Sequence, residues 1–299
     1  MKVKSFRFKK IDAFVAGDST GNPAGAIYID SRDNISAAEM QRIARELKGF
    51  VNEVGFIRRL DQETFDLRYY SSEREVDLCG HATIAIMYDL IKNDNKMLNC
   101  GTVSIVNNKG KLAIANRIQN EDAVFLYAPQ PVFADRAIGT DAVAGALRVG
   151  PDLLNEQSPL MIVNAGLETL IVPFRTLDAV LALSPDLEEL KQFCIGNRID
   201  IITVFTSETA NPAHAFRTRV FAPTFGYLED PATGSGNGAF GYYLHRIGNR
   251  QPKVITIEQN GYRDNPNLVK LEFGDNANGS FQVAFGGNGV VRIAGEYFV

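Results

Sequence analysis

Two segments of the chain set polar side chains and glycines directly before an apolar stretch. They are Glu75-Val76-Asp77-Leu78-Cys79-Gly80-His81-Ala82 and Glu229-Asp230-Pro231-Ala232-Thr233-Gly234-Ser235-Gly236-Asn237-Gly238. Where a helix opens in such a segment, its first N–H groups have no intrahelical acceptor, and its end carries about half a positive charge. Such an end suits a carboxylate or phosphate. Two of them facing each other would clamp one anionic substrate, with His81, Asp230 and Ser235 as the side chains at the mouth and Gly80 and Gly234 to Gly238 allowing close backbone approach. The same glycines also fit plain turn chemistry and close packing, and Asp230 before Pro231 also fits a turn or cap. Glu53, in Phe50-Val51-Asn52-Glu53-Val54-Gly55-Phe56, is a carboxylate among mostly apolar neighbours. Desolvation there disfavours the ionised form and suits a group that takes and returns protons, although a surface Glu at a strand start has the same pattern. Of the three histidines, His81 alone opens an apolar helix; His214 and His245 read as structural.

The elements that must position these groups follow from periodicity. A helix is expected at about residues 36 to 48, with Ser36 and Glu39 as a capping box, Ile35 stapled onto Met40, and Met40, Ile43, Ala44 and Leu47 on one face. From Thr64 to Tyr69 the period is two, which reads as a half-buried strand. Ala82 to Tyr88 has no polar face at helical spacing and reads as a fully buried helix. Strands near 102 to 106 and 111 to 115 flank the turn Asn107-Asn108-Lys109-Gly110, and another strand near 123 to 127 closes the first half. The second half repeats the order loosely. A helix at about 135 to 149 leads to strands near 160 to 163 and 168 to 172, helices near 177 to 183 and 187 to 193, and strands near 201 to 205 and 215 to 221. Gly238 to Leu244 then reads as a second wholly apolar helix entered through a glycine-rich turn, and four strands finish the chain. This duplication predicts two halves, each a sheet wrapped around a central helix, with the cut near residue 130.

Composition narrows the function classes. At 299 residues, and with about 150 per domain as a prior, the chain has room for two domains. Its 31 Lys plus Arg against 35 Asp plus Glu, with no basic run, leave no electrostatic footprint for nucleic acid or an anionic membrane. Cys79, Cys100 and Cys194 are odd in number and far apart, which argues against a disulfide framework or zinc ribbon. The start, Met1 to Lys10, alternates charged and apolar residues rather than forming a secretory signal, and no stretch approaches the roughly 20 apolar residues of a membrane span. No Walker loop, nucleophile elbow, zinc spacing or dinucleotide fingerprint occurs, so the expectation is a cytoplasmic enzyme that uses no cofactor and no metal.

Taken in order, a series of motifs resembles the PhzF (phenazine biosynthesis-like) family across nearly the whole chain. They are Ile11-Asp12-Ala13-Phe14, Gly21-Asn22-Pro23-Ala24, Met40-Gln41-Arg42-Ile43-Ala44, Asn52-Glu53, Leu78-Cys79-Gly80-His81-Ala82-Thr83, Arg219-Val220-Phe221-Ala222-Pro223 running to Glu229 through Ser235, and Gly287-Asn288-Gly289-Val290. The resemblance implies an α+β, diaminopimelate epimerase-like fold of two similar domains, each a β-barrel-like sheet around a central α-helix, with the active site between them. The domains would be residues 1–130 plus 287–299, and 131–286. It also implies a cytoplasmic, homodimeric, biosynthetic isomerase that moves a proton within a small carboxylate-bearing metabolite without a cofactor. On that resemblance Glu53 is the general acid/base, His81, Asp230 and Ser235 complete the catalytic set as its polar lining, and Gly80, Ala82, Thr83, Gly234 and Gly236 hold the substrate. The sequence departs from the family at Cys79, because Cys-Gly-His is similar to proline racemases, which invert a centre with two opposed thiols. The matching position in the second half reads as Ser235, a poor carbon base. Cys79 is therefore expected to be a small buried hydrophobe, with a cysteine-dependent racemase or epimerase as the alternative. A third reading is a non-catalytic small-molecule-binding protein on the same fold.

Overall fold

In the computed structural model, which describes residues 4–276 and 278–299, the chain divides into two units. The first holds the described part of Met1–Val15 together with Thr20–Leu126 and Gly286–Val299, and the second holds Ala16–Ser19 and Tyr127–Phe285. Met1 to Val3, part of the N-terminal alternation, lie outside the described residues.

The first unit runs β1 (Ser5–Ala13), β2 (Asn22–Ile29), α1 (Ala37–Glu46), β3 (Glu53–Arg59), β4 (Thr64–Ser71), β5 (Glu75–Val76), α2 (Gly80–Lys92), α3 (Asn95–Leu98), β6 (Thr102–Asn107), β7 (Gly110–Asn116), α4 (Ile118–Glu121) and β8 (Val124–Tyr127). β1 and β2 are antiparallel, β2 and β3 parallel, β3 and β4 antiparallel. β4 carries β5 antiparallel and β6 parallel, and β7 and β8 follow antiparallel. Helix α2 packs against β1, β2 and β3. Nine of its side chains, from Ala82 through Asp89 and at Ile91, are buried. At about 1.5–3 kcal/mol for each large apolar side chain removed from water, this burial is what wraps the sheet around it. The opposite face of the sheet takes α1. Ser36 and Glu39 form the expected capping box, and Ile43 and Ala44 pack with Ile27, Val54, Phe56 and Tyr70.

The second unit runs β9 (Val132–Phe133), α5 (Thr140–Ala146), β10 (Met161–Asn164), β11 (Glu168–Pro173), α6 (Leu177–Leu181), α7 (Leu187–Gly196), β12 (Ile201–Thr206), β13 (Phe216–Phe221), β14 (Glu229–Asp230), α8 (Gly234–Arg246), β15 (Val254–Gln259), β16 (Asn267–Asp275) and β17 (Phe281–Gly287). The pairings repeat those of the first unit: β11 and β12 parallel, β12 and β13 antiparallel, β13 with β14 antiparallel and β15 parallel. Helix α8 packs on β10, β11, β12 and β16, with Phe240 and Tyr243 ringed by Phe205 and Phe216. The last strand, β18 (Gly289–Phe298), returns to the first unit and pairs antiparallel with β1. Each unit is thus a sheet around a central helix, the epimerase-like α+β fold.

Two elements differ from the sequence reading. The helix expected at 135 to 149 shortens to Thr140–Ala146, because Gly139 is its N-cap and Leu147 its C-cap. The Gly234-x-Gly236-x-Gly238 run is not an entry turn but the opening five residues of α8. A Cβ at Gly234 would meet the Phe285 ring at 2.3 Å, at Gly236 the Thr203 hydroxyl at 3.0 Å, and at Gly238 the Ala128 Cβ at 3.1 Å. Those glycines let the helix approach its sheet, at a helix-propensity cost of about 1 kcal/mol each.

β18 comes as close to α2. A Cβ on Gly289 would lie 2.9 Å from the Ala85 carbonyl oxygen, and helix backbone does not yield. Gly289→Ala is therefore expected to lower stability by about 1–3 kcal/mol in urea unfolding. Gly295→Ala, facing open space on the same strand, is expected to change it by less than about 0.5 kcal/mol.

Candidate active site

Strand alternation aims Glu53. In β3, Val54 and Phe56 pack toward α1, so Glu53 and Gly55 face the other way, where a Cβ on Gly55 would meet Ile86 of α2. Glu53 is the first residue of the strand and therefore lies beside the beginning of that helix. Its Oε2 is 3.4 Å from His81 Nε2, with the side chains only 18% and 11% exposed.

The helix end itself is unusual. Its N-cap is Cys79, extended at φ −121°, ψ 110°, and the thiol does not cap the helix. The sulfur instead faces the imidazole, 3.5 Å from Nδ1 and 4.0 Å from Nε2. Cys79, Gly80 and His81 are fixed from below. The Thr83 hydroxyl donates to the Cys79 carbonyl (2.7 Å), leaving its oxygen to accept from the buried Tyr69 hydroxyl (2.6 Å). Ala82 and Thr83 are fully buried, so their side chains face the core and only first-turn backbone is offered to a ligand.

Burial pushes the His81 imidazole down to about 4, against a smaller opposing effect of its hydrogen bond to the Pro23 carbonyl. At neutral pH the ring is uncharged, so its contact with Glu53 is not an ion pair. The three donor atoms of Glu53, Cys79 and His81 lie within 4.8 Å of one another, a grouping of metal-ligand types. The sequence shows no zinc spacing because the third donor comes from a separate strand.

In the second unit, β14 and α8 place Asp230 and Ser235. Asp230 is buried and accepts from the Thr233 hydroxyl at 2.6 Å. Gln259 ties the turn together: its side-chain amide donates to the Asp230 carbonyl (2.9 Å) and its oxygen accepts from the Thr233 N–H (2.9 Å) and the Asn237 amide (2.6 Å). Asn237 also donates to the Thr233 carbonyl (2.8 Å), as Thr83 does to Cys79. Ser235 is half-buried in the first turn. Sequence reasoning missed Thr233, Asn237 and Gln259. An N-cap threonine was a usable signal for the first, but Gln259 enters from β15 and carried none.

Registering the two units corrects one assignment. Both helices have 13 residues, with N-cap Cys79 in one and N-cap Thr233 in the other. Thr233, not Ser235, is the counterpart of Cys79, and Ser235 is the counterpart of His81. Neither is a thiol. The strand registers Val54↔Tyr70↔Glu75 and Ile202↔Phe221↔Glu229 likewise set Ile201 where Glu53 stands, so the carboxylate belongs to one unit alone.

The remaining histidines make contacts away from this helix end. His214 Nδ1 is 2.8 Å from Glu258, which also accepts from Arg217 and from the Ala210 and Asn211 N–H groups. Burial pushes the Glu258 carboxyl up, but these bonds outweigh it and hold the group below the usual range. They border a cavity of about 420 Å³ whose lining includes none of Asp230 to Ser235. His245 stacks on Phe281. No helix among the described residues is long and apolar enough to cross a membrane.

Comparison with known proteins gives these features a context. The family model described as "Phenazine biosynthesis-like protein" matches residues 11–295. A Bacillus subtilis protein named "Uncharacterized isomerase YfhB" is 31% identical over 96% of this chain and 97% of its own. The trans-2,3-dihydro-3-hydroxyanthranilate isomerase of Pseudomonas fluorescens is 29% identical over 94% of this chain and 95% of its own. The crystal structure of a Bacillus anthracis phenazine biosynthesis protein of the PhzF family superposes with a TM-score of 0.86 at 24% identity, covering 99% of this chain and 100% of that one.

The buried neutral imidazole has a measurable consequence. Unfolded His titrates near 6.5, so between that value and about 4 the unfolded chain binds a proton that the folded one does not. Stability should therefore fall as pH drops through this window, by up to about 3 kcal/mol from this group. Urea unfolding at pH 6.5, 5.5 and 4.5 is expected to show a shallower decline for His81→Gln than for the parent. Parallel declines would remove His81 as the cause.

Proposed function

Because the chain belongs to the phenazine biosynthesis-like (PhzC-PhzF) family, whose relatives are named isomerases, we propose that it is an isomerase that moves a proton within a small carboxylate-bearing metabolite, with Glu53 as the group that carries it. The observation that supports this most directly is the Glu53 carboxyl held 3.4 Å from a neutral imidazole at the buried start of α2. As carboxylate, Glu53 takes a proton from a carbon acidified by an adjacent double bond or carbonyl. The C–H electron pair moves into the conjugated system, and the far carbon receives the proton back from the same carboxyl. Neutral His81 can donate or accept a hydrogen bond at the reacting end without adding charge, and the first-turn N–H groups of Gly80 and His81 stabilise negative charge as it develops. Asp230 and Ser235 are assigned to substrate binding, with Gly234 and Gly236 as backbone contacts. The reading carries with it a homodimeric, cytoplasmic enzyme.

The departure at Cys79 has a specific meaning in this reading. A two-thiol racemase needs a second sulfur at the counterpart position, and Thr233 stands there. Cys79 then shapes the pocket and is not itself the base.

Solvent-deuterium incorporation tests the proposal, starting with trans-2,3-dihydro-3-hydroxyanthranilate, the compound in the name of the Pseudomonas relative, and continuing through cyclic and amino-acid-like carboxylates. Glu53→Gln is expected to cut exchange by about 10²–10⁴-fold, while Cys79→Ala keeps it within about tenfold. Loss in Cys79→Ala with exchange retained in Glu53→Gln would establish the thiol-dependent racemase instead. Tight binding of a carboxylate without exchange of any compound would favour a binding protein.

A further inference from the structure

We propose that Glu53, Cys79 and His81 form a binding site for a thiophilic divalent cation of the zinc type, whose occupancy shuts the isomerase off by taking its base as a ligand. The donor set is one carboxylate oxygen, one imidazole nitrogen and one thiolate sulfur, the three ligand types of protein zinc sites. All three atoms lie within 4.8 Å of one another, on side chains that are buried or nearly so. Zn–N and Zn–O bonds near 2.0–2.2 Å and a Zn–S bond near 2.3 Å give tetrahedral edges of about 3.3 Å for N···O and about 3.5 Å for S···N. The Glu53 Oε2 to His81 Nε2 distance is 3.4 Å, already at the first value. The Cys79 Sγ lies 4.0 Å from His81 Nε2 and within 4.8 Å of the carboxylate donor, so the thiol swings toward both to complete the set.

The surroundings favour this use. The His81 ring hydrogen-bonds the Pro23 carbonyl, which holds the imidazole in place. Thiolate and carboxylate together cancel the two charges of the ion, so the buried complex is neutral and avoids the penalty of an uncompensated charge. The Cys79 proton leaves to solvent on binding, which makes affinity rise with pH. Three protein ligands leave a fourth position open. The ion therefore sits where substrate would, in contact with the group that must stay unligated to move a proton.

The inhibitory half of the inference rests on the proposed role of Glu53, but the binding half does not, and the two are tested separately. The full-length protein, stripped with a chelator, is titrated with Co²⁺ as a spectroscopic probe and then with Zn²⁺ in competition. The expected result is one equivalent bound, with a sulfur-to-cobalt charge-transfer band and the visible bands of tetrahedral cobalt, both displaced by Zn²⁺. Cys79→Ser should abolish the charge-transfer band, and Cys79→Ala does the same if the serine variant fails to fold. Glu53→Gln should keep the band but weaken binding roughly tenfold or more. Cys100→Ser and Cys194→Ser should change nothing. Absence of the band at one equivalent, or its survival without Cys79, would overturn the site. In the exchange assay, saturating Zn²⁺ should slow the parent more than tenfold and a chelator should restore it. Unchanged exchange with Zn²⁺ demonstrably bound would overturn the inhibition. Metal binding without any substrate exchange would instead count against the isomerase reading.

Discussion

A helix with no polar face has to be covered on every side, and that requirement organises each unit. In α2, side chains from Ala82 to Asp89 are buried without a break, so the sheet has to curve around the helix rather than lie against one stripe of it. A flat sheet would leave most of that apolar surface in water. Once the sides of the helix are sealed, its ends are the remaining places where polar groups and ligands are tolerated. The first turn, with N–H groups that the helix cannot satisfy, then becomes the natural seat of chemistry. Gly289 on β18 and Gly234, Gly236 and Gly238 on α8 belong to the same requirement, since each removes a Cβ that would hold helix and strand apart.

The duplication carries the scaffold into both units, but not the chemistry. Arg68 pairs with Glu75, and Arg219 with Glu229, in matching strand positions. The residue four places past each N-cap, Thr83 or Asn237, reaches back to the N-cap carbonyl. These repeated features are all devices for building a helix end. What differs is what each end presents: a thiol, an imidazole and a carboxylate in the first unit, against a hydroxyl at each counterpart of Cys79 and His81 and the apolar Ile201 in place of Glu53. In the proposed reaction, a duplicated fold with Glu53 in one unit alone is suited to moving a proton out and back through a single carboxyl. A pair of opposed bases would be needed to exchange a proton across two faces of one carbon.

Much of this was legible in the sequence because it rests on local periodicity. The apolar run of α2, the Ser36–Glu39 box and the hairpin after Asn107 each carry their instructions within a few residues. Glu53 could be singled out because a carboxylate amid Val and Phe conflicts with its surroundings. Illegible were the relations set by register. Nothing local shows that Thr233 stands opposite the role of Cys79, that Gln259 of β15 clamps the Asp230 turn, or that the glycine run lies inside α8. Each of these depends on strands paired across dozens of residues, and on contacts such as Phe285 against Gly234 that only the folded sheet creates.

The site also shows why stability and function oppose each other here. Burying His81 holds it neutral and costs stability in acid, and crowding a thiol, a ring and a carboxyl within 4.8 Å spends interior volume on polar atoms. A helix capped by serine or aspartate would be the more stable solution, because the side chain would satisfy first-turn N–H groups that Cys79 leaves to other partners. That cap would also fill the space and neutralise the dipole that the proposed substrate carboxylate would use. The hydrogen bonds from Tyr69 through Thr83 to the Cys79 carbonyl resolve the conflict from the core side. They fix the backbone of the N-cap without occupying its outer face. The helix end is thereby held rigid by groups beneath it.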